Sequence, residues 1–124
     1  MPYGYNGKIL RVDLTNNKID VEEPDEKIYR TYMGGGALAC YYLLKEQKAG
    51  VDPLGPDNML GFTTGLLTGT PTLMTGRWMA MAKSPLTGGW GDANCGGTLA
   101  PEIKRCGYDG IFINGQAKQP VYLH

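Results

Sequence analysis

Two short features carry the residue types best suited to holding a ligand, one through main-chain groups and one through a cation. In ANCGG, residues 93–97, a glycine pair precedes a predicted helix. Glycines without side chains let a phosphate reach the free amides that a helix N-terminus presents. The alternative is a glycine pair that only shapes a turn. The segment has neither the ending of a P-loop nor the glycine pattern of a dinucleotide-binding fold.

Arg77 is the second feature, because it follows Thr75-Gly76 and opens an otherwise apolar predicted strand. A planar guanidinium can bridge ligand oxygens or sulfurs, or the side chain can simply reach solvent or a nearby carboxylate. Residues 83–88 (KSPLTG) and 34–36 (GGG) are two further places where an anion could bind. A polar turn and a connection between two helices explain these segments at least as well.

Cysteine and histidine are too few and too scattered for most side-chain chemistry. The cysteines are Cys40, Cys95 and Cys106, without a CxxC pair, and the one histidine is His124 at the last position. This pattern argues against a disulfide framework, a Ser–His–Asp triad, and a zinc or iron–sulfur site made by this chain alone. Cys95 has no neighbouring histidine to activate it as a nucleophile, and we expect Cys40 in the core.

The composition predicts a small cytoplasmic domain. The chain has 124 residues, with twelve Lys plus Arg against twelve Asp plus Glu, so no general attraction to nucleic acid or to an anionic membrane is expected. No apolar run approaches the roughly 20 residues of a spanning helix, and the first residues do not resemble a secretory signal. Seven of the 19 glycines occur in one triplet and two doublets, which indicates sharp turns or close approach of the main chain to a ligand.

The hydrophobic pattern predicts an α+β framework for these residues, with a mainly antiparallel sheet and three short helices. The first two strands read as a hairpin, and Asp25 is suited to cap the first helix. An apolar stripe on the second helix is formed by Ala37, Cys40, Tyr41 and Leu44. The predicted strands are residues 7–14, 18–23, 59–64, 77–83, 110–114 and 121–123, with a short one near Trp90 in the otherwise loop-like stretch 84–97. The predicted helices are residues 25–33, 37–47 and 98–106.

Taken in order, these motifs resemble the N-terminal domain of the tungsten-containing aldehyde ferredoxin oxidoreductases. The similarity begins with GYNGKILRVDLTNNKIDVE and continues through GGGALACYYLLKE and VDPLGPDNML. It is strongest in TGLLTGT, TGRWMAMAKSPLTG and ANCGG, and it ends with GYDGIFINGQAKQPVYL. The resemblance therefore covers essentially the whole chain and keeps its spacing.

The resemblance implies a tungstopterin cofactor, in which tungsten or molybdenum lies between two pterins, with Mg²⁺ joining the pterin phosphates and a [4Fe–4S] cluster beside them. In that family, aldehyde and water become carboxylate, and two electrons leave through the cluster to ferredoxin. The resemblance implies that Arg77 lies between a pterin and the cluster, that the main-chain carbonyl of Asn94 binds the Mg²⁺, and that Gly96 contacts a pterin phosphate. Cys95 and Gly97 belong to the same cofactor-binding loop. Mg²⁺ prefers oxygen ligands, which a main-chain carbonyl supplies.

The resemblance also implies that residues 1–124 are a single domain cut from a longer chain, equivalent to half of a pseudo-duplicated N-terminal domain. The family's cluster cysteines and its acid–base residues lie further along, so redox catalysis by this chain alone is not expected. A surface meant for the missing half would be exposed. We therefore expect association with the rest of the polypeptide, with a partner subunit or with a second copy.

Departures from the family pattern leave the substrate open. Leu66 stands where many relatives have proline, and Leu73 and Met74 occupy a stretch that is often smaller and more polar. Three other functions stay open beside the aldehyde oxidoreductase. They are the tungsten subunit of an aromatic acyl-CoA reductase, a stand-alone module that binds a pterin or another phosphoester, and a small interaction domain without a cofactor.

Overall fold

The computed structural model describes residues 4–122, and in this range the chain forms six strands and three helices. The α+β class predicted from the sequence is confirmed. The strands are β1 (Ile9–Asp13), β2 (Lys18–Glu22), β3 (Leu60–Thr64), β4 (Trp78–Lys83), β5 (Trp90–Cys95) and β6 (Gly110–Asn114). The helices are α1 (Glu26–Tyr32), α2 (Gly35–Glu46) and α3 (Leu99–Arg105).

All six strands form one sheet in the order β2-β1-β6-β3-β4-β5. Four of the neighbouring pairs are antiparallel and one, β1 with β6, is parallel. The mainly antiparallel sheet is therefore confirmed. Ile9 pairs with Gly110, so β6, from the end of the chain, lies between β1 and β3.

The predicted hairpin is formed by β1 and β2, with Leu10 opposite Val21. Its turn is held by Asp13, whose carboxylate accepts hydrogen bonds from the amides of Thr15 and Asn16 at 2.9 and 3.0 Å. Hydrogen bonds from the side chain and main chain of Asn16 hold the pKa of Asp13 below its usual value. A polar loop sequence thus supplies the bonds that reverse the chain.

Helices α1 and α2 pack on one face of the sheet and form the core with it. Ile9, Met81 and Phe112 face these helices and are almost completely buried. A Cβ atom at Gly61 would lie 2.7 Å from the ring of Phe112, so glycine at this position in β3 allows the ring to lie across the strand. The helical side of the core is formed by Tyr29, Leu38, Ala39, Tyr42 and Leu43.

The buried face of α2 is not the stripe predicted from helical spacing. Ala37 and Leu44 of that stripe are exposed, and Cys40 is only half-buried. The expectation that Cys40 lies in the core was therefore wrong. Both sides of this helix are apolar, and the side that faces the sheet is the one where Tyr42 packs against Phe112, with ring centroids 4.8 Å apart.

Two buried tyrosines on the helices remain neutral. Burial raises the pKa of both Tyr29 and Tyr42 above the usual value. The charge of Asp109 adds to this effect at Tyr29. At Tyr42 the added cause is Glu22, whose carboxylate accepts a hydrogen bond from the hydroxyl at 2.8 Å. Tyr42 therefore links the inner face of α2 to the end of β2.

Several predicted elements have different boundaries in the structure. The stretch expected to be mostly loop contains β5, which pairs with β4 from Trp78 opposite Cys95 to Lys83 opposite Trp90. Its glycine content lowers the local preference for a strand, and pairing with β4 provides the missing stabilisation. Helix α2 begins at Gly35 rather than Ala37. Residues 121 and 122 form no strand, and Leu123 lies outside the described residues.

A buried ion pair joins α3 to the segment before β6. Lys104 and Asp109 are 4% and 2% exposed, and Nζ lies 2.6 Å from Oδ1. Asp109 also accepts hydrogen bonds from the amides of Asn6 and Gly7 at 2.9 and 2.7 Å. Lys104 donates to the carbonyl of Gly4 at 2.8 Å. The pair therefore fixes the segment that leads into β1.

We expect Asp109→Asn to lower the free energy of unfolding by about 3–5 kcal/mol, because it leaves the ammonium of Lys104 buried without its counter-charge. The matched control is Glu102→Gln, which breaks the exposed ion pair with Arg105 and should cost less than about 1 kcal/mol. Urea denaturation of the purified chain measures both losses. Equal losses in the two variants would contradict a special role for the buried pair.

Candidate functional site

A groove of about 480 Å³ lies where the beginning of α2 meets the loop between β3 and β4. One wall comes from the glycine segment before α2, and the other comes from residues of the loop. Arg77 contributes to the same groove. Two of the segments singled out from the sequence, GGG and TGR, are therefore neighbours in space. Residues that line the groove include Gly34, Gly35, Gly65, Thr68, Met74 and Arg77.

Gly34 allows the start of α2 to pack directly on the end of β3. A Cβ atom at this position would lie 2.6 Å from the carbonyl oxygen of Thr64, so any other residue would push the helix away. The contact is secured by Thr63, whose buried hydroxyl donates to the carbonyl of Gly35 at 2.8 Å. The glycine triplet connects α1 to α2, which was one of its two interpretations. Two of its residues, Gly34 and Gly35, also line the groove.

Threonine hydroxyls hold the loop between β3 and β4. Thr68 is 1% exposed, donates to the carbonyl of Thr75 at 2.8 Å and lies 3.2 Å from the carbonyl oxygen of Arg77. Thr70 donates to the carbonyl of Leu67 at 2.7 Å. The conformation of this loop is thus set largely by hydrogen bonds among its own groups.

The tip of the same loop carries two apolar side chains in solvent. Leu73 and Met74 are 87% and 98% exposed. Met74 has a φ angle of 61°, a left-handed conformation that is uncommon for a residue with a side chain. The positions where the sequence departs from the family pattern therefore lie beside the groove, since Leu66 and Met74 both line it.

Arg77 and Asn94 are brought together from neighbouring strands. Nη1 of Arg77 donates to Oδ1 of Asn94 at 2.9 Å. Asn94 pairs with Met79 in the ladder between β4 and β5, which sets its side chain on the same face as Arg77. A guanidinium has five donor hydrogens, so this bond to Asn94 leaves donors for an anionic ligand.

The glycine turn that follows β5 touches the same region. A Cβ atom at Gly76 would lie 2.9 Å from the carbonyl oxygen of Gly97, so the main chain before Arg77 is in close contact with the main chain of the turn. A Cβ atom at Gly96 would meet nothing within 4 Å. The main chain at Gly96 is therefore open to an approaching group, while Gly97 adopts a φ angle of 98° that favours glycine.

Cys95 is placed differently from its neighbours. Side chains alternate along a strand, and Cys95 pairs with Trp78, whereas Asn94 pairs with Met79. Its side chain therefore projects to the face of the sheet opposite Arg77, and only its main chain belongs to the turn. The helix after the turn has seven residues, and Thr98 at its start makes no side-chain capping bond.

Residues 83–88 comprise the last residue of β4 and most of its connection to β5. The ammonium of Lys83 donates to the carbonyl of Val51 at 2.6 Å. The amide of Ser84 donates to the carbonyl of Gly89 at 2.8 Å, and the amide of Gly88 returns to the carbonyl of Ser84 at 2.8 Å. The ammonium of Lys83 and the main-chain groups of the turn thus bond within the protein, which supports the interpretation as a polar turn.

The donors near the groove suit an anion better than a metal held by side chains. Across residues 4–122, no three His, Cys, Asp or Glu residues are grouped so that they could hold a metal ion. What the site offers is a guanidinium, an amide side chain and main-chain groups at glycines. Such groups fit a phosphoester, or a hard cation bound through oxygen. In the same range, no helix is long and apolar enough to cross a membrane.

Sequence reasoning missed Thr68, which the structure places between the groove and the main chain of Arg77. The segment TGLLTGT, which contains Thr68, was singled out only by the family resemblance. The spacing of its threonines next to glycines was the available signal, because a threonine hydroxyl can hold a loop by bonding to nearby carbonyls.

Comparison with known proteins places this geometry in a family. The family model described as aldehyde ferredoxin oxidoreductase, N-terminal domain, matches residues 9–124. Over 122 residues the chain is 47% identical to the tungsten-containing aldehyde ferredoxin oxidoreductase of Pyrococcus abyssi and 45% identical to that of Pyrococcus furiosus. It is also 43% identical over 125 residues to the aliphatic sulfonate oxidoreductase, WOR-like subunit, of Pyrococcus furiosus. Each match covers 98% of this chain and 20% of the relative.

A solved structure agrees with these matches. It is the active site complex BamBC of benzoyl coenzyme A reductase with 1,5 dienoyl-CoA, which superposes with a TM-score of 0.95 at 36% identity. The superposition covers 98% of this chain and 18% of that chain. The chain thus spans about one fifth of the length of the relatives it matches. Because the family model matches nearly all of it, the chain belongs to the aldehyde ferredoxin oxidoreductase family, whose N-terminal domain it matches.

Proposed function

We propose that this chain holds the cofactor in a tungsten bis-pterin oxidoreductase that converts aldehydes to carboxylates. The observation that carries the proposal is the meeting of Arg77 with Asn94 beside the turn at Gly96. It occurs in a chain 47% identical to a tungsten-containing aldehyde ferredoxin oxidoreductase. The name of that relative includes both the metal and the electron partner. We extend both to the protein that contains this chain.

Arg77 would lie between a pterin and an iron–sulfur cluster. Its side chain is exposed, and one of its nitrogens is held by Asn94 at 2.9 Å, so the guanidinium is oriented before a ligand arrives. A planar cation in a fixed position can bond to phosphate or sulfur with more than one N–H group. When bound, the tungsten–pterin group would supply the two-electron redox chemistry, and the role of Arg77 is to bind and orient it.

Asn94, Gly96 and Gly97 would act mainly through their main chain. Strand β5 is at the edge of the sheet, and an edge strand has main-chain groups without a strand partner. The carbonyl of Asn94 would be an oxygen ligand for a Mg²⁺ that joins two pterin phosphates. The open space beside Gly96 would admit one of those phosphates, and Cys95 would contribute only its main chain.

The ligands of the [4Fe–4S] cluster would come from other parts of the same polypeptide or from a partner subunit. Cys40 lies on α2, Cys95 on β5 and Cys106 after α3, so they belong to separate elements. Ferredoxin would receive electrons from the cluster and would therefore bind near those other parts. Because the cluster ligands would lie outside residues 1–124, we do not expect these residues alone to catalyse the redox reaction.

A second function has support from the solved structure of the benzoyl coenzyme A reductase complex, with its TM-score of 0.95. On that basis the chain would belong to the tungsten subunit of an aromatic acyl-CoA reductase. The identity of 36% with this structure is lower than the 47% with the aldehyde oxidoreductase, so we favour the aldehyde. Aldehyde oxidation and benzoyl-CoA reduction by the purified native protein distinguish the two.

The test of the proposed function is the intact mass and the metal content of the native polypeptide. Because 122 matched residues are 20% of the first relative, we expect about 600 residues, with tungsten or molybdenum and iron bound. Elemental analysis of the protein purified from its source cells measures the metals. A native polypeptide that ends near residue 124 and contains no metal would contradict the proposal and favour a stand-alone binding module.

We expect Arg77→Lys in that polypeptide to lower retention of tungsten and pterin by about tenfold, because lysine keeps the charge but loses the planar fork. The matched control is Arg105→Lys, an exposed position on α3, which should retain the cofactor like the wild type. Metal content after extended dialysis is the measurement. Equal retention of the cofactor in the two variants would contradict a role for Arg77 in binding it.

The apolar face of the sheet opposite α1 and α2 supports association. Val21 pairs with Leu10, and the alternation of the strands puts both on that face together with Leu60 and Phe62. Val21 and Leu60 are 49% and 38% exposed, and the ring of Phe62 packs against Trp78 at 5.6 Å. We propose that the rest of the polypeptide, a partner subunit or a second copy covers this face.

We therefore expect the isolated chain to self-associate with increasing concentration, because burying this face removes apolar surface from water. Val21→Lys should reduce the association, whereas Leu44→Lys, at an exposed apolar position on α2, should not. Size-exclusion chromatography with light scattering measures the mass. A monomer at high concentration in the wild type would be evidence against association through this face.

A further inference from the structure

Thr68 has a buried hydroxyl for which the proposed cofactor contacts give no role. Its side chain is 1% exposed although it belongs to a loop whose tip is in solvent. The hydroxyl donates to the carbonyl of Thr75 at 2.8 Å and lies 3.2 Å from the carbonyl oxygen of Arg77. A threonine hydroxyl has one hydrogen, so the two carbonyls share a single donor.

Thr68 is itself fastened to the end of β3. Its amide donates to the carbonyl of Gly65 at 3.2 Å, and Gly65 follows the last residue of that strand directly. The bonds of Thr68 therefore fix the spacing between the end of β3 and the main chain that leads into β4. This link is independent of the ladder between the two strands, which starts at Trp78.

The main chain held by Thr68 is confined from the other side as well. Residue 76 lies between the two carbonyls, and a Cβ atom at Gly76 would be 2.9 Å from the carbonyl oxygen of Gly97. Residues 75–77 are thus placed between the hydroxyl of Thr68 and the turn after β5. Any displacement of this segment moves Arg77 relative to Asn94, which accepts its hydrogen bond.

We propose that Thr68 is a positioning residue for cofactor binding, which acts by fixing the main chain of Arg77 against the turn at Gly97. The inference rests on the proposed role of Arg77 in holding the cofactor. Without the hydroxyl, two carbonyls lose a buried donor and the segment relaxes toward other partners. The guanidinium then no longer meets a phosphoester in one fixed geometry, and the affinity gained from pre-organisation is reduced.

A matched buried hydroxyl is available on the last residue of β3. Thr64 is also 1% exposed, and its hydroxyl donates to the carbonyl of Asp109 at 2.9 Å. It makes no hydrogen bond to residues 75–77. The amide of Thr64 also donates to the carbonyl of Asp109, at 3.0 Å, and this main-chain bond remains when the hydroxyl is removed. Removing the hydroxyl of Thr64 therefore tests the general cost of a lost buried hydrogen bond, without the link to Arg77.

The experiment compares Thr68→Val, Thr68→Ser and Thr64→Val in the native full-length polypeptide. Tungsten and pterin per polypeptide are measured after identical purification and dialysis, and circular dichroism confirms folding. Thr68→Val keeps the shape without the hydroxyl, so we expect about fivefold lower retention of both. Thr68→Ser restores the hydroxyl and should retain the cofactor close to the wild-type level, as should Thr64→Val.

Three results would overturn the positioning role. They are wild-type retention in Thr68→Val, equal losses in Thr68→Val and Thr68→Ser, and an equal loss in Thr64→Val. A further readout is the double variant, since Thr68→Val should lower retention no further when Arg77→Lys is already present. An additive loss would mean that Thr68 does not act through Arg77. If Thr68→Val does not fold, Thr68→Ala is judged by the same criteria.

The outcome is distinguishable from failure of the proposed function. A wild-type protein without tungsten and pterin refutes both the function and the positioning role. A loaded wild type with an equally loaded Thr68→Val variant refutes only the role of Thr68.

Discussion

Asp109, immediately before β6, bonds to residues from several separate parts of the chain. The carboxylate holds Lys104 of α3 at 2.6 Å and the amide of Asn6 at 2.9 Å. The main chain of the same residue donates to the carbonyl of Lys8 and accepts from the amide of Thr64, at 2.8 and 3.0 Å. Elements from the beginning, the middle and the end of the chain thus meet at one buried charge. A parallel pair such as β1 and β6 cannot be joined by a tight turn. The bonds of Asp109 to the residues before β1 therefore set where the two strands begin to pair.

The position of the groove depends on the bonds of Asp109. Asp109 fixes Thr64 at the end of β3, and the carbonyl of Thr64 is the atom on which Gly34 packs. The start of α2 and the end of β3 therefore share one reference point, from which the loop carrying Thr68 departs. Arg77 is held from two directions, by Thr68 through its carbonyl and by Asn94 through its guanidinium. The site depends on main-chain contacts that a few small residues permit, and this explains why glycine is so abundant near it.

Local patterns were sufficient for the elements that form between neighbouring residues. The hairpin of β1 and β2, the capping of α1 by Asp25 at 2.7 Å and the helix around Ile103 all follow from alternation, capping and apolar spacing. The insertion of β6 beside β1 could not be predicted in this way, because nothing local specifies a partner 100 residues away. The buried face of α2 was assigned wrongly, since Cys40 and Tyr42 lie on two apolar sides and only packing against the sheet selects between them.

The candidate site shows the same limit at smaller scale. Residue types alone singled out Arg77 and the glycines after Asn94, and the structure places them together. Residue types could not show that Cys95 projects to the opposite face, because that depends on its register with Trp78. Thr68 was missed because its hydroxyl is informative only once its acceptors, the carbonyls of Thr75 and Arg77, are known.

In the proposed function, the main-chain part of this site does not select the substrate. Relatives that match 98% of this chain bear names referring to aldehydes and to an aliphatic sulfonate, and a structure with a TM-score of 0.95 contains a dienoyl-CoA. Similar chains are therefore found in proteins whose names or bound ligand refer to three kinds of compound. In the proposed function, a phosphoester bound by amides, a carbonyl and a guanidinium would have the same chemistry in each case. The residues of this chain that can differ without disturbing that chemistry are exposed side chains beside the groove, and Leu73 and Met74 at 87% and 98% exposure are the clearest examples. Their loop is held at its base by Thr68, so the tip can vary while Arg77 stays in place.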